Sequence, residues 1–215
     1  RGLIIKKMKR QIKLFDPIID NNESDILNKI LKSKFWADGS GNNQVKFFEE
    51  KLQKIIKSDF NIAVNSGTSA LYLALSMEDI KDKEVILPSM TFVSTAHSVI
   101  ANNAKPVFTD IDLDTLCIDP DKIEESTTKS TKIILPVHFG GLSCDLTKIK
   151  KICNTNNLTL IEDAAHAAGS YYKDKPIGSH GKFVCFSFHP VKNLAMPTGG
   201  LISINDKNFK NISKK

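Results

Sequence analysis

The chain's 215 residues suffice for one large domain or two small ones, and its 41% hydrophobic and 25% charged residues are the proportions of an ordinary globular protein. No apolar run reaches the roughly 18 residues of a membrane span and no leader-like segment is recognisable, so no membrane contact and a cytoplasmic location are expected. The net charge of +6 is scattered, with small clusters only at Lys6-Lys7 and 148–151; lacking a basic stripe with interleaved aromatics, it argues against nucleic acid and suits small anionic ligands.

Over 23–32 the apolar residues Ile26, Leu27, Ile30 and Leu31 recur at helical spacing behind a Ser24-Asp25 start signal, which predicts a short amphipathic helix. The glycine-rich segment 35–43 has no strand before it, so it is a connection and not a dinucleotide fingerprint. A second helix follows, with Phe48, Leu52, Ile55 and Ile56 on one face. After Phe60 the pattern changes. Strands are predicted at 62–65, 84–87, 106–109, 132–135, 158–162 and 183–188, separated by helical stretches of which 145–156 is the clearest. Such alternation implies βαβ units and a mostly parallel sheet with both faces covered. Ligands of such sheets bind beyond the carboxyl ends of the strands. Cys117, Cys144, Cys153 and Cys185 form no CxxC pair and no Cys/His spacing suited to a metal, and they are expected to stay reduced.

The polar residues that follow the strand ends are the candidates for chemistry. Asn65-Ser66-Gly67-Thr68-Ser69-Ala70-Leu71 combines a glycine that permits a tight turn with hydroxyls opening a helix. That is a seat for a phosphate, or a plain N-cap by Thr68 or Ser66; the GxxxxGK[ST] pattern of a P-loop is absent. Phe92, in Pro88-Ser89-Met90-Thr91-Phe92, is placed to cover a flat ring or to fill core. In Glu162-Asp163-Ala164-Ala165-His166-Ala167 an acid at a strand end is followed by small residues that leave room. Asp163 suits a protonated heterocyclic nitrogen or a helix N-cap, and His166 is a site residue or a satisfied core histidine. Ser187 donates to a phosphate or caps a turn. Lys192, in Phe186-Ser187-Phe188-His189-Pro190-Val191-Lys192-Asn193 before Gly199-Gly200, is a fixed nucleophile toward aldehydes or a surface lysine. Jointly these parts are what pyridoxal phosphate requires: a phosphate cup, a ring cover, an acid for the ring nitrogen and a lysine for an imine.

With those motifs, Pro136-Val137-His138 and Leu201 in order, the chain resembles the large domain of the pyridoxal-phosphate-dependent nucleotide-sugar aminotransferases of the DegT/DnrJ/StrS type. The resemblance implies a three-layer α/β/α large domain of fold type I, in which the strand over 200–204 runs antiparallel. It implies that residues 1–60 form an N-terminal helical segment and 61–215 the cofactor-binding large domain. Lys192 would form the imine and carry the proton of the 1,3-shift, and Asp163 would hold the pyridinium proton. Gly67, Thr68, the backbone of Ser69 and Ser187 would hold the phosphate. Phe92 would stack on the ring with His166 beside it. The implied reaction is amino transfer from glutamate or glutamine to a keto group of a nucleotide-linked sugar, in a homodimer. The alternatives are a nucleotide-sugar dehydrase, in whose relatives histidine replaces the imine-forming lysine, and a non-catalytic regulator, which needs no imine; Lys192 favours transfer over both. Relatives continue into a smaller C-terminal domain. The expectation is therefore that these 215 residues are a fragment that binds cofactor weakly, self-associates through exposed apolar surface and does not turn over alone.

Overall fold

The structure is a computed structural model that describes residues 13, 16–34, 36, 44–206 and 209. The lysine pair at 6–7 and, Trp36 apart, the connection expected over 35–43 lie outside the described residues. Helix α1, Asn21–Ser33, starts two residues before the predicted span and is not capped at the expected Ser24-Asp25 signal. Asp20 is its N-cap: the side chain accepts from Asn22 N at 2.7 Å, while the Glu23 carboxylate accepts from Asp20 N at 2.8 Å. Its apolar stripe remains open, since Ile26, Leu27 and Leu31 are each more than half exposed. Helix α2, Gln44–Ile56, does pack: Phe48, Leu52 and Ile56 join the core. Ile55, expected on the same face, instead points outward and is 54% exposed.

Among the described residues nine strands follow in chain order: β1 (Phe60–Val64), β2 (Glu84–Pro88), β3 (Lys105–Thr109), β4 (Thr131–Ile134), β5 (Thr159–Asp163), β6 (Tyr171–Tyr172), β7 (Lys175–Pro176), β8 (Phe183–Ser187) and β9 (Gly200–Ile204). Between them lie α3 (Gly67–Ser76), α4 (Val93–Ala101), α5 (Pro120–Ser126), a short 3-10 turn (Phe139–Gly141) and α6 (Leu146–Asn156). Seven strands form one sheet in the order β1-β9-β8-β5-β4-β2-β3, and β6 and β7 make a separate hairpin. Within the large sheet β9 alone runs antiparallel to its neighbours.

The two-residue period of the strands sorts their side chains between two cores. Val85, Leu87, Phe183, Cys185 and Ile202 meet Ala70, Leu71, Ala74 and Leu75 of α3 and Val99 of α4 on one face. Ile86, Ile134, Val184, Phe186 and Leu201 meet Ile123 of α5, Ile149 and Ile152 of α6, and α2 on the other. The result is a three-layer α/β/α arrangement. Strands β8 and β9 are buried at every position, as strands covered on both faces must be. Burial of Phe183, with no exposed surface, contributes about 1.5–3 kcal/mol. All four cysteines are free thiols in this interior.

Pairing of Gly200 with both Val64 and Ser187 brings the ends of β1 and β8 together with the start of β9. A bridge between Val137 and Asp163 carries the pairing of β4 and β5 to the same edge. The loops that leave this edge build the site.

Candidate active site

Lys192 sits on a loop pinned at both ends by Phe188, which is 1% exposed. Phe188 N donates to Gly199 O at 3.0 Å, and Phe188 O accepts from Met196 N at 2.8 Å. Inside the loop Lys192 N donates to His189 O at 2.8 Å, and Asn193 Nδ2 donates to Ala168 O at 2.6 Å, tying the loop to the segment after β5. Lys192 is thereby held half-buried at the site. Burial lowers the pKa of its ammonium below the ordinary lysine value, against the opposing pull of the Asp163 charge.

Asp163 ends β5 and is 4% exposed. Ala165 N donates to its Oδ1 at 3.0 Å and Thr95 Oγ1 to its Oδ2 at 2.9 Å. No helix begins here, so Asp163 is not a helix N-cap. The acidic pair is split by the strand period, because Glu162 points to the opposite face. There the Glu162 carboxylate meets His138 Nε2 at 2.8 Å and accepts from Gly181 N, while His138 Nδ1 accepts from Cys144 N at 3.1 Å. His166 is half-buried beside the site, not in the core. Its Nδ1 accepts from Gly140 N at 3.3 Å and its ring meets Phe139 edge-on. Burial first, then the Lys192 charge, hold its pKa below the ordinary imidazole value. The neutral ring, with Nδ1 accepting, carries its proton on Nε2.

The turn into α3 is capped by Ser66 and not by Thr68: Ser66 Oγ accepts from Ser69 N at 3.1 Å. Gly67 does not serve to reverse the chain. It sits against Ser187, where an added Cβ would lie 2.7 Å from the serine Cβ. Gly200 has the same reason, because a Cβ there would run into the Ser66 carbonyl. Of the glycine pair after the lysine loop, Gly200 thus permits close approach of β9 to the start of α3, while a Cβ at Gly199 would meet only ordinary contacts.

A pocket of about 310 Å³ opens at this edge, and Gly67, Thr68, Phe92, Asp163, His166, Ser187 and Lys192 all line it. Phe92 is 71% exposed at the rim, so it is not core. Ser69 is the candidate the structure leaves apart: its amide is bonded to Ser66, its hydroxyl donates to Asn65 Oδ1 at 2.5 Å, and it faces a more open depression between α3 and α4. Thr91, Thr95, Val137 and Phe139 were not singled out from the sequence. The one available signal was the four-residue spacing of Thr91 and Thr95, which puts both on one side of a helical turn. Among the described residues no group of His, Cys, Asp or Glu could hold a metal, and no helix is long and apolar enough to cross a membrane. The groups present fit a flat, phosphorylated aldehyde. A carboxylate with a donor on each oxygen lines one part of the pocket, an amine depressed by burial another, and a glycine cradle no side chain could enter lies at the helix start.

Residues 17–215 match the model of the DegT/DnrJ/EryC1/StrS aminotransferase family. The chain is 41% identical over 192 residues to the spore coat polysaccharide biosynthesis protein SpsC of Bacillus subtilis, an alignment covering 89% of this chain and 49% of the relative. The PLP form of Spr1654 from Streptococcus pneumoniae, described as a candidate sugar aminotransferase, superposes with a TM-score of 0.86 at 30% identity, over 95% of this chain and 56% of that one. Helicobacter pylori PseC, an aminotransferase of pseudoaminic acid biosynthesis, gives 0.87 at 26% identity, over 95% and 55%. The chain spans about half the length of the relatives it matches.

Proposed function

The chain belongs to the DegT/DnrJ/EryC1/StrS aminotransferase family, and from that premise we propose that it serves pyridoxal-phosphate-dependent amino transfer from glutamate or glutamine to a keto group of a nucleotide-linked sugar. The observation that carries the reading is that the Lys192 amine and the Asp163 carboxylate line one pocket whose wall includes the start of α3. The family uses pyridoxal phosphate, which when bound supplies an electrophilic aldehyde carbon and an electron-withdrawing ring. Lys192 is the nucleophile for that carbon. Its lowered pKa, set by burial, enlarges the neutral fraction of the Lys192 amine, which would hold the cofactor's aldehyde carbon and could carry a proton on Nζ. Asp163 accepts the hydrogen bond of the protonated ring nitrogen, and His166 offers a proton from Nε2. Thr68, Ser187 and the first turn of α3 hold the phosphate, where hydroxyls and the positive end of the helix dipole converge. Phe92 covers one face of the ring, and Ala165, the one alanine of this segment that lines the pocket, leaves space for it, while Ala164 and Ala167 are buried in the core.

Retention of Lys192 favours transfer over sugar dehydration and over a regulator that merely binds. The working enzyme is a cytoplasmic homodimer in this reading. To test it, the protein in a form that spans the full length of its relatives is loaded with pyridoxal phosphate, freed of excess and mixed with glutamate or glutamine. The visible absorbance of the bound cofactor falls as it takes up the amino group, and Lys192→Ala abolishes the change. A spectrum that no amino donor alters would sink the proposal.

A further inference from the structure

We propose that Thr95 is a positioning residue for Asp163, and that a one-way hydroxyl relay from Thr91 through Thr95 keeps the carboxylate aimed into the pocket and able to leave a proton on the ring nitrogen. The inference rests on the reading that this pocket takes pyridoxal phosphate. Thr91 Oγ1 lies 2.8 Å from Thr95 Oγ1, which lies 2.9 Å from Asp163 Oδ2. The direction follows from proton counting. A carboxylate only accepts, so Thr95 must donate to it; a hydroxyl has one proton, so Thr95 can only accept from Thr91. Thr95 is fully buried and Asp163 nearly so, which leaves no water to replace either bond. The backbone fixes the spacing, because Thr95 N donates to Phe92 O at 3.0 Å and closes the first turn of α4 one turn beyond Thr91. Ala165 N holds the other carboxylate oxygen at 3.0 Å. With one donor on each oxygen, rotation of the carboxylate would break both bonds.

The chemical consequence concerns where a proton rests. A donor into Oδ2 stabilises the charged carboxylate, and that favours a proton on the ring nitrogen over one on the acid. The ring withdraws electrons only while its nitrogen is protonated, so Thr95 would act on the reaction without touching substrate or cofactor.

Three variants test this: Thr95→Val, Thr95→Ser and Thr91→Val. In the cofactor-free chain labelled with ¹³C-carboxyl aspartate, the Asp163 resonance, identified by its loss in Asp163→Asn, moves in Thr95→Val and returns in Thr95→Ser. With ¹⁵N-labelled pyridoxal phosphate, the ring nitrogen of Thr95→Val shifts toward its unprotonated position, and the dissociation constant rises roughly ten- to a hundredfold, the worth of one hydrogen bond to a charged group. Thr91→Val moves both readings the same way by less, and it carries the test if Thr95→Val does not fold. An unmoved Asp163 resonance, or a ring nitrogen as protonated as in the unaltered chain, overturns the inference. Should the unaltered chain bind no cofactor, the functional reading fails, while the carboxyl resonance still decides the role of Thr95.

Discussion

Replacing Glu162 with glutamine alters almost no volume but removes an acceptor from a closed buried network. Three N–H groups converge there, from Gly181, His138 Nε2 and Cys144. Three acceptors serve them: the two carboxylate oxygens and His138 Nδ1. Glutamine keeps one oxygen and substitutes an NH2 for the other, so whichever way the amide turns, one donor faces another. A change of histidine tautomer does not help, since it moves the conflict to the Cys144 amide. Both side chains are fully buried, so water cannot intervene. One unsatisfied buried donor costs about 1–3 kcal/mol, and weakening the remaining bond from charged to neutral adds roughly 1 kcal/mol. At about 2–4 °C per kcal/mol for a chain of this size, Tm should fall by roughly 4–16 °C. Calorimetry and urea unfolding of Glu162→Gln measure it. A loss below about 0.5 kcal/mol, the scatter of neutral surface changes, would refute the donor count.

Gly67→Ala drives a methyl to 2.7 Å from Ser187 Cβ; we expect about 1–3 kcal/mol of destabilisation and weaker cofactor binding, read by thermal melts and pyridoxal phosphate titration. Lys192 should become a neutral amine at lower pH than the surface lysines, which pH-dependent reductive methylation with peptide mapping can follow; Asp163→Asn, by removing the opposing charge, should lower that pH further. The linked stability has a definite sign. Between the lowered folded pKa and the ordinary 10.5 the unfolded state binds more protons, so stability rises with pH across that window, and a Lys192→Met variant should lose this component of the pH profile. His166 should remain neutral to a lower pH than an ordinary histidine, as its NMR titration would show. His166→Gln, which keeps a donor and an acceptor, should retain more cofactor affinity than His166→Phe.

Legibility in the sequence tracked the range of the forces involved. Short apolar runs alternating with helical stretches located six of the seven sheet strands to within two residues, β9 having come only from the resemblance, and the apolar face behind Asp145 located α6, because propensity, capping and burial period act over a few neighbours. Those same forces made Lys192, Asp163, Thr68 and Ser187 conspicuous at strand ends. They also misled where local pattern and packing diverge. The stripe of α1 has helical period but no cover among the described residues, and Ile55 has the right spacing but faces outward.

By itself, then, the sequence determined the alternating elements, the likeness to a family and the residue types of the site, since each is written in neighbours along the chain. Tertiary structure alone decided the strand order that brings Thr95 to Asp163 across 68 residues, the division of Glu162 from Asp163 between two faces, and the side of α3 on which Ser69 lies. It also supplied the reason for Gly67 and Gly200, which is steric clearance between segments remote in sequence and not freedom of φ. Such contacts depend on which strands become neighbours. That choice is made by the burial of whole faces at once, and no local window of the sequence contains it.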